Sequence, residues 1–224
     1  MSVGFRINNQ FDRVTSEMVK QFKDLPVANV SDAMSRLYAG GSKLRPMHRE
    51  GNLAGPALTV KTRPGDNLMI HKAIEMAEPG DIIVVDASGD TTNSLMGELM
   101  LERAIKRGVA GFILHGAIRD LGAIYERNLP LFAIGVTHRG PYRTGPGEIG
   151  YPISIDGMNI EPGDLVLGDL DGVISVSKTE LEETLSKAKA KYAAEQKQME
   201  ETVNNTIDRS WINKELRRLG CEFN

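Results

Sequence analysis

The chain has 224 residues, of which 41% are hydrophobic and 25% charged, as is typical of a soluble globular protein. Its formal net charge of −3 lacks the basic character of nucleic-acid-binding proteins, and no apolar run approaches the ~20 residues that span a bilayer. The single cysteine, Cys221, excludes an internal disulfide and a cysteine-rich zinc site. The N-terminal stretch has no apolar signal core, so we expect a cytoplasmic protein.

The first predicted elements mix helices and strands. The stretch NVSDAMSRL predicts a short helix with Ser31 or Asp32 near its start, because these side chains are good helix N-caps. PALTVKT then predicts a strand and NLMIHKAIEMA a helix. The β-branched run IIVVDASGD predicts a buried strand that ends in a glycine turn.

The middle of the chain predicts alternating helices and strands. TTNSLMGELMLERAIKRG carries a helical apolar stripe (Met100, Leu101, Ala104 and Ile105), and Gly108 suits the position after the last turn. The strand VAGFILHG, the helix DLGAIYERN and the strand LPLFAIGV follow. After a Gly/Pro loop, residues 153–177 predict short strands with tight turns. We therefore expect an α/β core with an added antiparallel sheet.

From Lys178 onward the composition changes to Ala, Glu, Lys and Gln, which predicts one long polar helix followed by a second helix around Trp211. We divide the chain into a core at residues 1–177 and a helical extension at 178–224. A long polar helix has little to bury within its own chain, so we predict that the extension makes contacts in a homo-oligomer. The alternative is a partly exposed surface helix.

Three side chains are the best candidates for chemistry. Glu98 lies in the first turns of one predicted helix, and Arg119 and Asp120 follow the next strand. In a right-handed strand–helix–strand unit these positions lie at one edge of the sheet, so the side chains can converge. Carboxylate oxygens favour Mg²⁺ or Mn²⁺ over Zn²⁺. The alternatives are that Asp120 caps its helix, Arg119 pairs with Glu126 or Asp90, and Glu98 is a solvated helix residue.

Other polar residues carry weaker signals. Gly89 and Asp90 indicate a tight turn that shapes a pocket for an acidic ligand, because DASGD has too few glycines for a nucleotide-binding fingerprint. The histidines show no ligand spacing, which favours structural roles; they are His48, His71, His115 and His138.

Read as a unit, GELMLERAIKRGVAGFILHGAIRD resembles the RraA-like family, which includes the 4-hydroxy-4-methyl-2-oxoglutarate / 4-carboxy-4-hydroxy-2-oxoadipate aldolases. The family signature is an acid followed, one helix and one strand later, by Arg-Asp. VSDAM, GPALTVKT, IVVDASGD and GDLVLGDLDGVISVS also match, so the resemblance covers roughly residues 25 to 180. The family often adds an acid shortly after Arg-Asp, where this chain has Ala123.

The resemblance implies a swivelling α/β/β sandwich with a C-terminal helical extension, assembled as a homotrimer or homohexamer. It also implies a metal-dependent lyase that cleaves a 4-hydroxy-2-oxo acid to pyruvate and a second keto acid, with oxaloacetate decarboxylation as a side activity. Asp120 would be the direct ligand of Mg²⁺ or Mn²⁺, and Glu98 would hold metal-bound waters. Glu195, from a neighbouring subunit's C-terminal helix, would complete the outer shell.

The resemblance further implies how the 2-oxo acid would bind. Arg119 would stabilise enolate charge, and the backbone N–H groups of Leu99 and Met100 would bind the carboxylate beside Gly97. The alternative within the family is a protein-binding regulator without catalysis, like the RNase-inhibitor members. These smaller proteins lack the long helical extension, which favours the lyase.

Overall fold

The computed structural model describes residues 2–38 and 40–223. Its helices are α1 (Ser16–Phe22), α2 (Val27–Ala33), α3 (Leu68–Met76), α4 (Glu98–Arg107), α5 (Leu121–Arg127), α6 (Leu181–Val203) and α7 (Ser210–Arg218). Its first strands are β1 (Phe5–Ile7), β2 (Arg45–Pro46), β3 (Leu53–Thr62), β4 (Ile82–Asp86), β5 (Ser94–Met96) and β6 (Gly111–Ile118). The remaining strands are β7 (Leu131–Val136), β8 (Gly147–Ile149), β9 (Ile153–Ile155), β10 (Met158–Ile160), β11 (Leu165–Asp169) and β12 (Gly172–Val176).

The central sheet is built on the parallel strands β3, β4, β6 and β7, which lie side by side in that order. Strand β5 adds to β6, and the antiparallel strand β11 joins the first half of β3 and carries β12. Because β4, β6 and β7 are parallel, their carboxyl ends open at one edge of the sheet. Both α4 and α5 begin near that edge, which is where α/β proteins bind ligands.

Apolar cores cover both faces of the sheet. On one face, α3 and α4 pack against the strands through Ile70, Leu101 and Ala104. On the other, the β9–β10 hairpin covers Ile82, Val84 and Ile113. This confirms the predicted mixed α/β fold, in which a large sheet is accompanied by C-terminal helices.

Two local predictions were wrong. Helix α2 begins at Val27, not near Ser31 or Asp32, which lie in its last turn. The side chain of Asp169, distant in sequence, accepts the Val27 N–H at 2.8 Å and so caps the helix start. Residues 94–96 form β5 rather than helix because they pair with β6. Gly108 does take the predicted left-handed conformation after α4 (φ 78°), whereas Ile105 is exposed.

The C-terminal extension forms the two predicted helices. The first part of α6 buries Leu181, Leu185 and Ala188 against a core shared with α1 and α2. Beyond Tyr192 most of α6 is exposed, and α7 buries no residue within the chain. No helix in the described part of the chain is both long and apolar enough to cross a bilayer. The role of the extension in an oligomer stays a prediction.

Candidate active site

Asp120 lies between β6 and α5, but its carboxylate serves a different helix. The residue occupies the position before α5 with a left-handed backbone (φ 57°, ψ 39°) and makes no side-chain bond to that helix. Its Oδ2 instead accepts the N–H of Glu98 at 3.0 Å, at the start of α4. The interpretation of Asp120 as the cap of its own helix is therefore wrong. The carboxylate joins the two segments that carry the predicted site.

Strand β5 brings these segments together. The Arg119 N–H donates to the carbonyl of Met96 at 3.0 Å, which places Gly97 beside the Arg-Asp pair. A Cβ atom on Gly97 would collide with Asp120 Oδ2 and would lie 2.9 Å from Arg119 Cγ. A side chain at position 97 would therefore displace the Arg119 and Asp120 side chains from their present positions.

Arg119 lies over the same carboxylate. Its Nε is 3.6 Å from Asp120 Oδ2, and both side chains are about 40% exposed. The ion pair is thus open to solvent and to a ligand. The alternative partners considered for Arg119, Glu126 and Asp90, do not contact it among the ion pairs of the described residues.

Arg119 lines a cavity of about 210 Å³ at this edge of the sheet. The other lining residues are Asn67, His71, Met96, Gly97, Leu99, Met100, Arg103, Pro141 and Arg143. The Met100 N–H donates to the Gly97 carbonyl at 3.1 Å, whereas the Leu99 N–H has no protein acceptor in the described part of the chain. Of the two backbone donors predicted for a carboxylate, Leu99 is thus the available one. A larger cavity beside Arg13 and Asp81, about 430 Å³, contains none of the predicted site residues.

The cavity wall is strongly cationic. Arg103, Arg119 and Arg143 all line it, and none of its lining residues is acidic. Burial, together with the positive charges of Arg143 and Arg103, lowers the pKa of His71, so its imidazole is neutral near pH 7. Two buried polar atoms, Asn67 Oδ1 and His71 Nε2, have no hydrogen-bond partner among the described residues. Such atoms indicate a place for a polar ligand.

Asp66 fixes the Gly/Pro loop that closes one side of the cavity. Its Oδ2 accepts the N–H groups of Thr144 at 2.7 Å and Gly145 at 2.9 Å, and its Oδ1 accepts that of Leu68 at 3.0 Å. Although burial alone would raise the pKa of Asp66, these backbone hydrogen bonds lower it. The sequence analysis did not predict that Asn67 and Arg143 line the cavity or that Asp66 holds its loop. The available signal was the Asn67/His71 spacing, which places both residues on one helix face.

Glu195 lies away from this cluster within the chain. It is on α6, where its carboxylate accepts the Asn29 Nδ2 donor at 2.6 Å and pairs with Lys191 at 3.1 Å. The hydrogen bond from Asn29 and the charge of Lys191 lower the pKa of Glu195, which keeps it ionised. It is not among the residues that line the cavity.

Other residues considered from the sequence lie outside the cavity. Gly89 turns the chain with φ 71°, and a Cβ there would lie 3.2 Å from His115 Nε2. Neither Gly89 nor Asp90 lines this cavity, and the pocket predicted around them stays a prediction. His48 Nδ1 accepts the Leu131 N–H at 3.1 Å, and its Nε2 lies 2.9 Å from the Gly51 carbonyl oxygen, to which it donates. His115 is buried beside Asp86, and His138 is exposed in the Gly/Pro loop.

The candidate metal ligands at the site are carboxylate oxygens, which are hard ligands. Within the described residues of one chain, no three His, Cys, Asp or Glu side chains form a group able to hold a metal ion. Asp120 presents an exposed carboxylate, however, and Glu98 is exposed on the adjoining turn of α4. This set fits Mg²⁺ or Mn²⁺, because proteins often hold Mg²⁺ through one or two carboxylates while several waters remain bound.

Comparison with known proteins identifies the family. A model of the RraA-like family, described as Aldolase/RraA, matches residues 27–175. The chain belongs to the RraA-like family. A curated relative from Halalkalibacterium halodurans, named "Putative 4-hydroxy-4-methyl-2-oxoglutarate aldolase", is 42% identical over 177 residues, which cover 79% of this chain and 84% of that protein.

Two solved structures share the RraA-like fold. An uncharacterized protein from Pseudomonas syringae pv. tomato is 24% identical, with a TM-score of 0.78 and coverage of 88% of this chain and 97% of the other. The RNA-processing inhibitor RraA from Thermus thermophilis is 27% identical, with a TM-score of 0.63 and coverage of 68% and 93%. The first of these likenesses concerns the fold alone.

Proposed function

We propose that this RraA-like protein is a divalent-metal-dependent lyase that cleaves a 4-hydroxy-2-oxo acid to pyruvate and a second keto acid. The observation that carries the proposal is the Asp120 carboxylate, held at the N-terminus of α4 beside Arg119 and the cationic cavity. The name of the 42%-identical relative supports an aldolase.

In a retro-aldol cleavage, separate groups of the protein bind the substrate and stabilise the enolate. The Leu99 N–H at the N-terminus of α4 binds the substrate's C1 carboxylate, since helix N-termini favour anions. The C4 hydroxyl gives its proton to a water molecule and becomes a carbonyl. The electrons of the C3–C4 bond form a C2–C3 double bond, while those of the C2 carbonyl move to its oxygen and produce an enolate. Arg119 lines the cavity and stabilises this negative charge. Protonation at C3 then yields pyruvate.

Asp120 and Glu98 would hold the metal, Asp120 directly and Glu98 through waters. A bound Mg²⁺ or Mn²⁺ supplies Lewis acidity toward the 2-oxo acid. The proposal includes a homotrimer or homohexamer in which Glu195 of a neighbouring subunit completes the outer shell. Oxaloacetate is a second substrate, because loss of CO₂ from it produces the same pyruvate enolate.

A pyruvate-release assay tests the proposed function. Purified protein is incubated with 4-hydroxy-4-methyl-2-oxoglutarate or oxaloacetate, with Mg²⁺ or Mn²⁺, and with a chelator control. We expect metal-dependent release from both compounds. Absence of release under every metal tested would reject the lyase.

A protein-binding regulator is the second candidate, because the Thermus relative is described as an RNA-processing inhibitor. That structure covers only 68% of this chain. Inhibition of a ribonuclease without pyruvate release would favour this candidate. The Glu98, Arg119 and Asp120 arrangement favours the lyase.

A further inference from the structure

We propose that Asn29 is a positioning residue that orients the Glu195 carboxylate toward the metal site of a neighbouring subunit. This inference rests on the proposed function, in which Glu195 completes the outer shell at that site. It is carried by three features of the contact between α2 and α6: a buried amide donor, a lysine that holds the other carboxylate oxygen, and the contrast with the other glutamates of α6.

The Asn29 side chain is buried and its amide contacts Glu195. Only 4% of the residue is exposed, and its Nδ2 donates to Glu195 Oε2 at 2.6 Å. A buried donor that loses its acceptor costs ~1–3 kcal/mol. The contact therefore favours the Glu195 rotamer that accepts from Asn29 over the other rotamers that a glutamate at the surface of a helix adopts.

Lys191 holds the other oxygen of the same carboxylate. Its Nζ lies 3.1 Å from Glu195 Oε1 and 2.9 Å from Asp32 Oδ2, and Arg36 pairs with Asp32 at 2.6 Å. The hydrogen bonds from Asn29 and Lys191 lower the pKa of Glu195, so the carboxylate is ionised near pH 7. The Glu195 side chain is still 46% exposed, and each carboxylate oxygen has two lone pairs that accept hydrogen bonds. Acceptor positions therefore remain for metal-bound waters.

The helices that carry the two residues are packed against each other. Val27 and Val30 of α2 share a buried core with Leu185 and Ala188 of α6. Because this core fixes α2 against α6, the Asn29 amide is in place within a single chain, before a metal or a neighbouring subunit is bound. A group that is ordered in advance loses less entropy when it binds.

Glu195 differs in this respect from the other glutamates of α6. Among the ion pairs and hydrogen bonds of the described residues, no other carboxylate of this helix contacts a side chain from another element. Glu183 and Glu201 pair with lysines one turn away on α6 itself, and Glu182 and Glu200 are exposed. Ordering a free glutamate side chain costs up to ~2 kcal/mol of rotamer entropy. The contact with Asn29 removes part of that cost for Glu195.

Mn²⁺ binding to the full-length protein, measured by isothermal titration calorimetry, tests the positioning role without relying on turnover. Asp120→Asn removes the proposed direct ligand and should abolish the binding. Glu195→Gln should weaken it about tenfold, as for loss of an outer-shell partner. Asn29→Leu keeps the branched shape of asparagine without its donor. It should weaken binding about threefold or more, because the Glu195 carboxylate regains rotamer freedom.

A double-mutant cycle separates positioning from a merely structural contact. In the Glu195→Gln background, Asn29→Leu should cause no further loss of Mn²⁺ affinity, because no carboxylate is left to orient. Asn29→Ser, whose hydroxyl is one bond shorter than the amide, repeats the comparison with a small polar side chain. Asn8→Leu is the control, since the Asn8 amide donates to the Gly150 carbonyl at 3.2 Å rather than to Glu195. It should bind Mn²⁺ like the unaltered protein, and thermal unfolding verifies that each variant is folded.

The outcomes separate this inference from the proposed function. No Mn²⁺ binding, binding that survives Asp120→Asn, unchanged affinity in Glu195→Gln or in the Asn29 variants, or equal losses in both backgrounds overturns the positioning role. A loss in the Asn29 variants that disappears in the Glu195→Gln background supports it, even where the pyruvate-release assay rejects the lyase. Pyruvate release with Mn²⁺ affinity unaffected by Asn29→Leu leaves the lyase standing and rejects Asn29 as a positioning residue.

Discussion

Asp120 shows how one residue can serve structure and chemistry together. Its left-handed backbone is uncommon outside glycine, although aspartate tolerates this conformation better than most residues. That backbone directs the carboxylate to the N-terminus of α4 rather than α5. One oxygen accepts the Glu98 N–H, and the other has no hydrogen bond in the described part of the chain. The second oxygen is therefore available to a metal.

Replacement of Asp120 separates these two roles. Asp120→Asn keeps a side-chain oxygen for the Glu98 N–H, so its stability should match that of the unaltered protein within ~0.5 kcal/mol. Asp120→Ala should lose ~1 kcal/mol of unfolding free energy with the cap. Both variants should lose metal-dependent pyruvate release. Denaturant unfolding and the release assay measure the two effects, and turnover retained in either variant would remove Asp120 as the metal ligand.

Arg119 contributes shape as well as charge. Arg119→Lys keeps the positive charge, but a compact ammonium does not reproduce the planar fork beside Asp120. We expect turnover to fall about 100-fold, as for loss of one preorganised donor to a developing oxyanion. The melting temperature should not change, because Arg119 is partly exposed and its ion pair is open to solvent. Near-normal turnover would exclude Arg119 from the mechanism.

At the scale of elements, the sequence predicts a helix end or a buried helix face correctly where residues of that helix determine it. The end of α4 at Gly108 and its buried stripe follow from residues within the helix. The start of α2 could not be predicted in this way, because its cap comes from Asp169 on β11. The cavity could not be predicted from local sequence either, because its lining residues come from three separate segments: α3, the start of α4 and the Gly/Pro loop. Arg143 lines the cavity because its loop is held by Asp66, which lies far away in the sequence.

The Asp66 carboxylate accepts the backbone N–H groups of Leu68, Thr144 and Gly145, and these hydrogen bonds form the Asp66 clamp. The clamp gives a pH-dependent prediction. Because hydrogen bonds lower its pKa in the folded chain, Asp66 contributes stability that is present above the unfolded pKa of about 3.9. That contribution is lost as the pH falls through the lower folded value. Asp66→Asn should therefore cost ~1–3 kcal/mol of unfolding free energy near pH 7. The difference from the unaltered protein should shrink below about pH 4.

Urea unfolding at several pH values measures the Asp66 contribution. Asp12→Asn is a suitable control, because Asp12 is an aspartate outside the clamp whose backbone carbonyl, not its carboxylate, accepts a hydrogen bond from Lys178. A destabilisation by Asp66→Asn that stays constant from pH 7 to pH 3 would contradict a carboxylate clamp. It would point instead to packing around residue 66.

At the scale of the whole molecule, one chain holds the proposed lyase machinery in two separate places. Arg119 and Asp120 lie at the carboxyl edge of the sheet, whereas Glu195 is engaged by Asn29 and Lys191 on α6. If the proposed oligomer brings Glu195 to a neighbouring site, each active centre draws on two chains. In a closed symmetric assembly, every subunit would then give one glutamate and receive another.

Subunit complementation tests this arrangement. Asp120→Asn and Glu195→Gln should each lower pyruvate release, because either change spoils every site in its own homo-oligomer. When equal amounts are unfolded together and refolded, random assembly should restore about a quarter of the sites, those that pair an intact Asp120 with an intact Glu195. Glu200→Gln, a change on the exposed part of the same helix, should leave release unaffected. Mixtures no more active than the average of the two separate variants would show that the site does not cross between subunits.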